Sequence, residues 1–449
     1  MMNYKETTEY LFNATPVFEH IGAKAYKPGL YNTHELDKHF GCPHHNFKTI
    51  HIAGTNGKGS CSHSIAAILQ KQGYKVGLYT SPHLVDFRER IRVNGQCISE
   101  QYVVNFVEQE RQFFEPLHPS FFELTTAMAF KYFDDMKVDV AVIEVGLGGR
   151  LDCTNIISPL LSVITNISFD HMQFLGKTLP EIAGEKAGII KTAIPVVIGE
   201  SNNLTRPVFE KKAEDVKAPI VFAEDDTEKE VLTATPLATG GIRYETKHFG
   251  TFVGELSGEY QIKNMNTVLC AIRQLINNTT LIKEQDHIIE ALGDVCALTG
   301  LQGRWQTVNH SPMVVCDTGH NVAGWKYLSH QIVNVPCHTR RIIFGMVNDK
   351  DIDEVMRILP SDAVYYFTQA ACKRAFPVQT VYEKALEHGL KGNTYDNVEK
   401  AYSQAIADSS DDDFIFVGGS SYIVADFLLT SSLRHPRNTN HPFFLGNNA

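Results

Sequence analysis

A short glycine-rich stretch at residues 53–60 has the residue types that bind phosphate groups. It reads Ala-Gly-Thr-Asn-Gly-Lys-Gly-Ser and stands between an apolar run and an amphipathic run, which predicts a strand, a turn and a helix. Backbone N–H groups in such a turn and the positive helix N-terminus bind an anion, and the lysine adds a cation for the terminal phosphates. The residues of this predicted phosphate loop are Gly54, Thr55, Asn56, Gly57, Lys58, Gly59 and Ser60.

The loop departs from the strict phosphate-loop motif at two places. Ile52 stands where the first glycine belongs, and Gly59 separates Lys58 from Ser60. A tight turn that binds nothing is the alternative interpretation, since glycines alone allow one. The strand–loop–helix context favours phosphate binding.

A nucleotide site also needs a carboxylate for a metal ion, and Glu144 supplies one at the end of the apolar run 141–143. Mg²⁺ prefers oxygen ligands and takes few of them from the protein, so one carboxylate, one hydroxyl and phosphates form a sensible set. An acid that caps the next turn is the alternative for Glu144. A second glycine-rich stretch, residues 146–152, follows directly.

Four further groups of residues lie where they could serve the same chemistry. Asp170 and His171 follow another predicted strand, although a histidine there is more often structural unless a metal site lies nearby. Lys186 falls inside a predicted helix, and the sequence alone favours an exposed lysine there. In the second half, residues 316–321 form a strand-to-helix turn of the kind where α/β sheets bind ligands, and residues 303–305 lie in a linker.

The elements that position these residues follow a strand–helix alternation, which predicts a mostly parallel sheet. Strands are predicted at 47–52, 74–79, 138–145 and 161–167, with helices at 59–72 and 121–136. Residues 200–255 are predicted to form a small β-rich patch. Beyond residue 303 the alternation restarts, with strands at 313–316, 341–344, 363–367 and 414–417.

The predicted fold is therefore α/β: a phosphate-loop domain with a mostly parallel sheet and a smaller C-terminal Rossmann-like α/β domain. The predicted boundaries are residues 1–298 and 304–449, and the tail 434–449 is expected to pack loosely. A chain of 449 residues agrees with this, because domains average about 150 residues.

Composition excludes several classes of protein. A formal charge of −10 argues against general binding to nucleic acid or to anionic membranes, which both need a basic surface. No apolar run reaches the roughly 18 residues of a membrane span. The nine cysteines are scattered, so we expect free thiols in a reducing compartment and a cytoplasmic protein. The cluster His39, His44, His45 and His51 matches no metal-site spacing and is interpreted as a surface loop.

Taken together, the motifs resemble those of the folylpolyglutamate synthase and dihydrofolate synthase family, a branch of the Mur-type ATP-dependent ligases. The resemblance covers nearly the whole chain in the family's order. Its motifs are residues 54–60, 80–84, 122–125, 144–152, 170–171, 184–190, Asn264, 303–304 and 317–321. Other Mur ligases carry a nucleotide-sugar domain before the phosphate loop, which here begins at residue 54, and this favours the folate branch. The chain departs from the family's usual residues at Tyr260, at Gln302 and within 318–322.

The resemblance implies ATP and Mg²⁺, with two ions, as cofactors, and glutamate and a pterin compound as small-molecule substrates of a monomer. Implied catalytic residues are Lys58, Lys186 and His320, and implied metal ligands are Ser81, Glu144, His171 and Lys186. Lys186 would be carbamylated, which reverses the interpretation as an exposed lysine. Implied nucleotide contacts outside the loop are Asn264, Arg304 and Asp317, and implied pterin contacts are Phe122, Glu123, Thr125, Leu151 and Asp152. His320 would lie near the glutamate.

The expected reaction is ATP-dependent addition of glutamate to dihydropteroate, to folyl(poly)glutamates or to both, through an acyl phosphate. Two alternatives stay open: a Mur-type ligase acting on a peptidoglycan precursor, and a non-catalytic protein that uses the nucleotide as a switch.

Overall fold

The computed structural model describes residues 2–14, 29–348 and 351–434. These form two compact units: one extends to Leu256 and continues over Tyr260–Leu301, and the other comprises Ser257–Glu259 and the chain from Gln302 onward. Within the described ranges, no helix is both long and apolar enough to cross a membrane. The tail that is predicted to pack loosely lies, beyond residue 434, outside the described residues.

The first unit is built on an eight-stranded sheet, and it confirms the predicted, mostly parallel architecture. Its strands are β1 (Lys48–Ala53), β2 (Val76–Tyr79), β3 (Ile91–Val93), β4 (Gln96–Cys97), β5 (Val140–Glu144), β6 (Leu161–Ile164), β7 (Val196–Ile198) and β8 (Ile220–Phe222). Their order is β4-β3-β2-β5-β1-β6-β7-β8, and only β3 and β4 run antiparallel to their neighbours. Every residue of β5 is buried, as a continuous apolar run predicts for a central parallel strand.

Helices cover both faces of this sheet. They are α1 (Tyr4–Ala14), α2 (Tyr31–His39), α3 (Lys58–Lys71), α4 (Glu100–Phe114), α5 (Phe121–Asp135), α6 (Met172–Leu175), α7 (Leu179–Ala187), α8 (Arg206–Asp215), α9 (Gln261–Asn278), α10 (Asp286–Leu292) and α11 (Val295–Thr299). Successive residues of a strand face opposite sides. Val142 of β5 therefore joins the apolar cluster of α3 and α9, whereas Ile143 joins the cluster that includes Met128 of α5.

The region 200–255 differs in part from its prediction as a β-rich patch. A separate antiparallel sheet is present, formed by β9 (Val231–Pro236), β10 (Ile242–Thr246) and β11 (Thr251–Gly254). The first part of the region instead holds helix α8 and strand β8 of the large sheet. The apolar side of β10, including Tyr244, packs into the same cluster as α9.

The second unit is a six-stranded sheet with helices. Its strands are β12 (Gln306–His310), β13 (Met313–Asp317), β14 (Arg340–Phe344), β15 (Val364–Phe367), β16 (Lys391–Thr394) and β17 (Phe414–Gly418), in the order β12-β13-β17-β14-β15-β16. Its helices are α12 (Val322–Asn334), α13 (Ile352–Met356), α14 (Val378–Glu387), α15 (Val398–Ala407) and α16 (Ser421–Arg434). Only β12 is antiparallel.

The interpretation of the four histidines as a surface loop is wrong for His51. This residue lies in β1, is fully buried, and its Nε2 is 2.8 Å from Oγ1 of Thr154. Burial, with a smaller effect of Lys191, lowers the pKa of His51 to about 3 and keeps the ring neutral. His44 lies 2.7 Å from the carboxylate of Asp37.

Candidate active site

One edge of the large sheet brings most of the predicted site residues together. Ile52 of β1 pairs with Glu144 of β5, and Tyr79 of β2 pairs with Ile143. Because these strands are parallel, the phosphate loop after β1, Glu144 at the end of β5 and Ser81 after β2 start from the same edge. The chain leading to Asp170 and His171 leaves β6 at that edge too, since Ala53 pairs with Ile164.

The phosphate loop has a backbone that only glycine can supply at two positions. Gly54 has a φ of +148°, and a Cβ there would lie 1.8 Å from Oγ1 of Thr165. Gly57 has a φ of +84°, and a Cβ there would lie 2.3 Å from Oδ1 of Asn264. Helix α3 begins at Lys58 with Gly57 as its N-cap, and no side chain caps it. The first turn of α3 is therefore open to an anion.

We expect Gly54→Ala to lower the free energy of unfolding by about 3 kcal/mol, combining left-handed strain with overpacking against Thr165. The matched control is Gly184→Ala in α7, where nothing lies within 4 Å of the added Cβ and helix propensity favours alanine by about 1 kcal/mol. Urea unfolding of both variants measures the two effects. Equal stability of the two variants would contradict the steric account of the loop.

Two lysines contact the same carbonyl of the loop. Nζ of Lys58 donates to the oxygens of Gly54 (3.2 Å) and Thr55 (3.1 Å), and Nζ of Lys186 donates to the oxygen of Gly54 at 2.8 Å. Lys186 is only 4% exposed, so the interpretation as an exposed helix lysine is wrong. Burial, followed by repulsion from Lys58, lowers the pKa of Lys186 to about 7, against the opposite effects of Asp170 and Asp152.

A chain of amides ties α9 to the first turn of α3. Nδ2 of Asn264 donates to Oε1 of Gln261 at 2.8 Å, and Nε2 of Gln261 donates to Oγ of Ser60 at 3.1 Å. Sequence reasoning named Asn264 and Ser60 but missed Gln261 as a contact of the loop. It also missed Thr165, whose Oγ1 donates to the oxygen of Asn56 at 2.5 Å. The polar residue directly after the apolar run of β6 was the available signal for Thr165.

The residues expected to contact a pterin lie around the second glycine-rich loop and the start of α5. A Cβ at Gly146 would meet Cζ of Phe122 at 2.3 Å, so the tip of this ring lies close against the loop backbone. Asp152 is buried and accepts from the backbone N–H groups of Leu147 (2.8 Å) and Thr154 (3.0 Å). Leu151 precedes it and is half-buried.

Two of these pterin candidates are engaged in building α5. Oε2 of Glu123 accepts from the N–H of Ser120 at 2.6 Å in a capping box, and Oγ1 of Thr125 donates to the oxygen of Phe121 at 2.7 Å. Both side chains are buried. Their hydrogen bonds fix the first turn of α5, which carries Phe122.

The candidate metal ligands differ in burial. Glu144 is 3% exposed, whereas Ser81 and His171 are half-buried. Among the residues that the structure describes, no three His, Cys, Asp or Glu side chains gather into a group that could hold a metal ion. A closed zinc-type site needs such a group, but Mg²⁺ is typically held by one or two carboxylates, phosphates and water. The donor set of Glu144 with the hydroxyl of Ser81 thus fits magnesium.

Arg304, Asp317 and His320 lie in the second unit: Arg304 precedes β12, Asp317 ends β13, and His320 lies in the turn after β13. Asp317 accepts from the N–H groups of Trp305 (2.7 Å) and Gly319 (2.8 Å), and Arg304 donates to Oγ1 of Thr318. Nδ1 of His320 lies 3.1 Å from the oxygen of Thr318. These contacts order the turn at the carboxyl end of β13.

Comparison with known families gives the class of the protein. Residues 52–272 match the Mur ligase middle domain, and residues 303–421 match the Mur ligase glutamate ligase domain. The chain is thus a Mur-type ligase.

Comparison with individual relatives identifies the family within the Mur-type ligases. The chain is 33% identical to the dihydrofolate synthase/folylpolyglutamate synthase of Bacillus subtilis, over 89% of this chain and 94% of the relative. It is 31% identical to a probable bifunctional folylpolyglutamate synthase/dihydropteroate synthase of Haloferax volcanii, over 95% of this chain, and spans half the length of that relative. The chain belongs to the folylpolyglutamate synthase and dihydrofolate synthase family and is an ATP-dependent ligase.

Solved structures agree with this assignment. Folylpolyglutamate synthase of Mycobacterium tuberculosis complexed with ADP superposes with a TM-score of 0.83 at 28% identity, over 95% of this chain and 98% of that one. Escherichia coli FolC in complex with DHPP and ADP gives 0.81 at 29% identity, over 97% and 99%. A bifunctional folylpolyglutamate synthase/dihydrofolate synthase with Mn, AMPPNP and L-glutamate bound gives 0.78 at 26% identity, over 97% and 98%.

Proposed function

We propose that this protein joins L-glutamate to dihydropteroate, to folyl(poly)glutamates or to both, in folate metabolism, with ATP as the energy source. The observation that carries the proposal is the phosphate loop with Lys58 at the sheet edge where the buried Glu144 ends β5. Nucleotides, a divalent metal, L-glutamate and DHPP in the related structures support it.

The reaction needs activation because a carboxylate and an amine do not condense in water. An oxygen of the acceptor's carboxylate attacks the γ-phosphorus of ATP, ADP leaves, and an acyl phosphate forms. The α-amine of glutamate then attacks the acyl carbon, the amine loses a proton, and phosphate departs with the former carboxylate oxygen. No protein nucleophile takes part, so positioning and electrostatics supply the catalysis.

The chain's own residues have separate tasks in this scheme. The first turn of α3 and the residues 54–60 bind the phosphates, and Lys58 offsets charge that develops on the transferring group. We assign Asn264, Arg304 and Asp317 to the nucleotide, and His320 to the glutamate and acyl-phosphate region. Phe122, Glu123, Thr125, Leu151 and Asp152 are assigned to the pterin compound, with Phe122 offering its ring as an apolar contact.

The metal ligands in this proposal are Ser81, Glu144, His171 and Lys186, with two Mg²⁺ ions. When bound, the ions neutralise phosphate charge and orient the γ-phosphate. The carboxylate of Glu144 is buried, and burying its negative charge costs free energy unless a cation is bound beside it.

Lys186 is assigned to the metal site as a carbamate. Its Nζ lies 2.8 Å from the oxygen of Gly54, beside the phosphate loop, where an ammonium would add to the charge of Lys58. Above its pKa of about 7 the amine is neutral, so its lone pair attacks the carbon of CO₂, and the nitrogen then releases one proton to solvent. The product has one negative charge and two oxygen atoms, the ligand type that Mg²⁺ prefers.

We expect enzyme equilibrated with ¹³C-bicarbonate to give a carbamate NMR resonance that Lys186→Met removes. The matched control is Lys191→Met, because Nζ of Lys191 also donates to a backbone oxygen, that of Asn155, at 2.8 Å, and its pKa is also lowered by burial. The resonance should persist in this control. A resonance absent from the wild type, or lost only in the control, would contradict the carbamate.

The acceptor is identified by measuring ADP formation with dihydropteroate and with a reduced folate monoglutamate side by side. Glutamate-dependent ADP formation with either compound supports the proposal, and the ratio of the two rates says which reaction dominates. A UDP-linked muramyl acceptor tests the peptidoglycan alternative. ATP binding without amide product with any acceptor would favour a nucleotide switch and overturn the proposed function.

We further propose that the protein acts as a monomer in the cytoplasm on small molecules, without nucleic-acid or membrane partners. The net charge of −10 supports the lack of nucleic-acid and membrane partners, and the nine free cysteines support the cytoplasm, whereas the monomer is what the family resemblance implies.

A further inference from the structure

Beyond the residues that would contact ATP, a chain of polar contacts, here called the relay, runs from the backbone of the phosphate loop through Asn166 and Glu200 to Lys263. The N–H of Thr55 donates to the backbone oxygen of Asn166 at 2.9 Å, and the N–H of Asn56 donates to Oδ1 of Asn166 at 3.0 Å. The first bond extends the pairing of β1 with β6 by one step. The second holds the next peptide unit, at the point where the loop turns into α3.

Glu200 sets the orientation of the Asn166 side-chain amide by accepting a hydrogen bond from the amide nitrogen. Nδ2 of Asn166 donates to Oε1 of Glu200 at 3.2 Å, and Glu200 is held after β7 by a bond from its N–H to the oxygen of Thr165 at 2.8 Å. A carboxylate only accepts and the N–H of Asn56 only donates, so one orientation of the amide satisfies both partners. Glu200 therefore keeps the amide oxygen of Asn166, and not its nitrogen, directed at the N–H of Asn56.

The relay continues to α9. The ammonium of Lys263 forms an ion pair with Glu200, and the next residue, Asn264, lies against Gly57 with its Oδ1. Lys263 also lies 3.5 Å from Glu224. The pair neutralises a carboxylate that would otherwise repel the anion held by the loop.

We propose that Asn166, oriented by the Glu200–Lys263 ion pair, is a positioning residue that holds the phosphate loop in its nucleotide-binding conformation. The importance of Asn166 for catalysis rests on the proposed function. The test of the inference, however, measures nucleotide binding alone. Asn166 acts through the backbone of Thr55 and Asn56 and need not touch the nucleotide.

The test measures ADP affinity by calorimetry with Mg²⁺ and no folate compound, in the full-length chain. Asn166→Asp keeps an acceptor for Asn56 but sets two carboxylates against each other, so ADP affinity should fall about tenfold, the effect of losing one buried hydrogen bond. Adding Glu200→Gln to Asn166→Asp restores a donor toward the new carboxylate, and affinity should return to within about threefold of wild type. The matched control, Asn105→Asp in α4, should bind as wild type because that side chain accepts an exposed hydrogen bond from Gln101 of the same helix.

Glu200→Lys gives a second arm in case Asn166→Asp does not fold. If the added positive charge were the only effect of Glu200→Lys, ADP would bind more tightly. The relay predicts instead that ADP binding weakens by about tenfold, because the side-chain amide of Asn166 turns and its donor group then faces the N–H of Asn56. In steady-state assays the KM for ATP should rise in both single variants while the KM for glutamate stays constant.

Wild-type ADP affinity in Asn166→Asp, tighter binding in Glu200→Lys, or no recovery in the double variant would overturn the inference. Failure of the proposed function looks different: the wild type would bind ADP and form no amide.

Discussion

Lys58→Met is expected to lower kcat for glutamate-dependent ADP formation by about a thousandfold, the effect of losing a preorganised charge at a transferring phosphoryl group. Methionine keeps most of the length of the side chain and removes the charge. In the structure Nζ of Lys58 donates to the oxygens of Gly54 and Thr55, so it lies directly against the loop. Initial rates at saturating ATP, with each folate acceptor, measure the loss.

Lys71→Met is the matched control for this variant. Lys71 lies in the last turn of the same helix, and its Nζ is 3.7 Å from an exposed carboxylate of Glu290, so the substitution should leave kcat unchanged. Both variants should melt within a few degrees of the wild type. A wild-type rate in Lys58→Met would remove the central residue of the proposed phosphate site.

Glu144→Gln is expected to reduce kcat by about a thousandfold as well, because a neutral amide is a poor ligand for Mg²⁺ where phosphate charge must be offset. The residual activity should need a higher Mg²⁺ concentration, so the measurement is a rate-against-Mg²⁺ curve. The fold should tolerate the change, since Glu144 is 3% exposed and an amide is cheaper to bury than a carboxylate.

The control for this variant is Glu290→Gln, an exposed acid on α10. It should leave the Mg²⁺ curve and the rate unchanged. A Glu144→Gln variant with the wild-type curve would assign Glu144 to the alternative role, an acid that caps the turn after β5.

The sequence predicted the fold well where a residue pattern is typical of one kind of secondary-structure element. The run 138–145 predicts a central strand, because it is nearly continuous in β-branched residues, which is typical of strands buried on both faces, and β5 is buried throughout. The edge strands β12 and β16 were missed. Their residues are mostly polar and none is fully buried, so neither a continuous nor an alternating apolar pattern marks them.

The candidate site was only partly predictable, because its contacts join residues far apart in the chain. Gly54 and Gly57 were recognisable as loop glycines, but their neighbours Thr165 and Asn264 come close only through the register of β1 with β6 and the approach of α9. Lys186 is another residue whose surroundings could not be predicted from the sequence. Helix periodicity cannot tell that Lys186 of α7 is buried against the carbonyl of Gly54, and only the family resemblance predicted a role for it at this site.

The transfer of an acceptor oxygen to phosphate tests the account most directly. The acceptor's carboxylate is labelled with ¹⁸O, and the phosphate released with ATP, Mg²⁺ and glutamate is examined by ³¹P NMR. The account predicts one labelled oxygen in each phosphate and one new glutamyl amide for each ADP. Unlabelled phosphate accompanying ADP would mean that water, and not the folate carboxylate, receives the phosphoryl group, and would contradict the account.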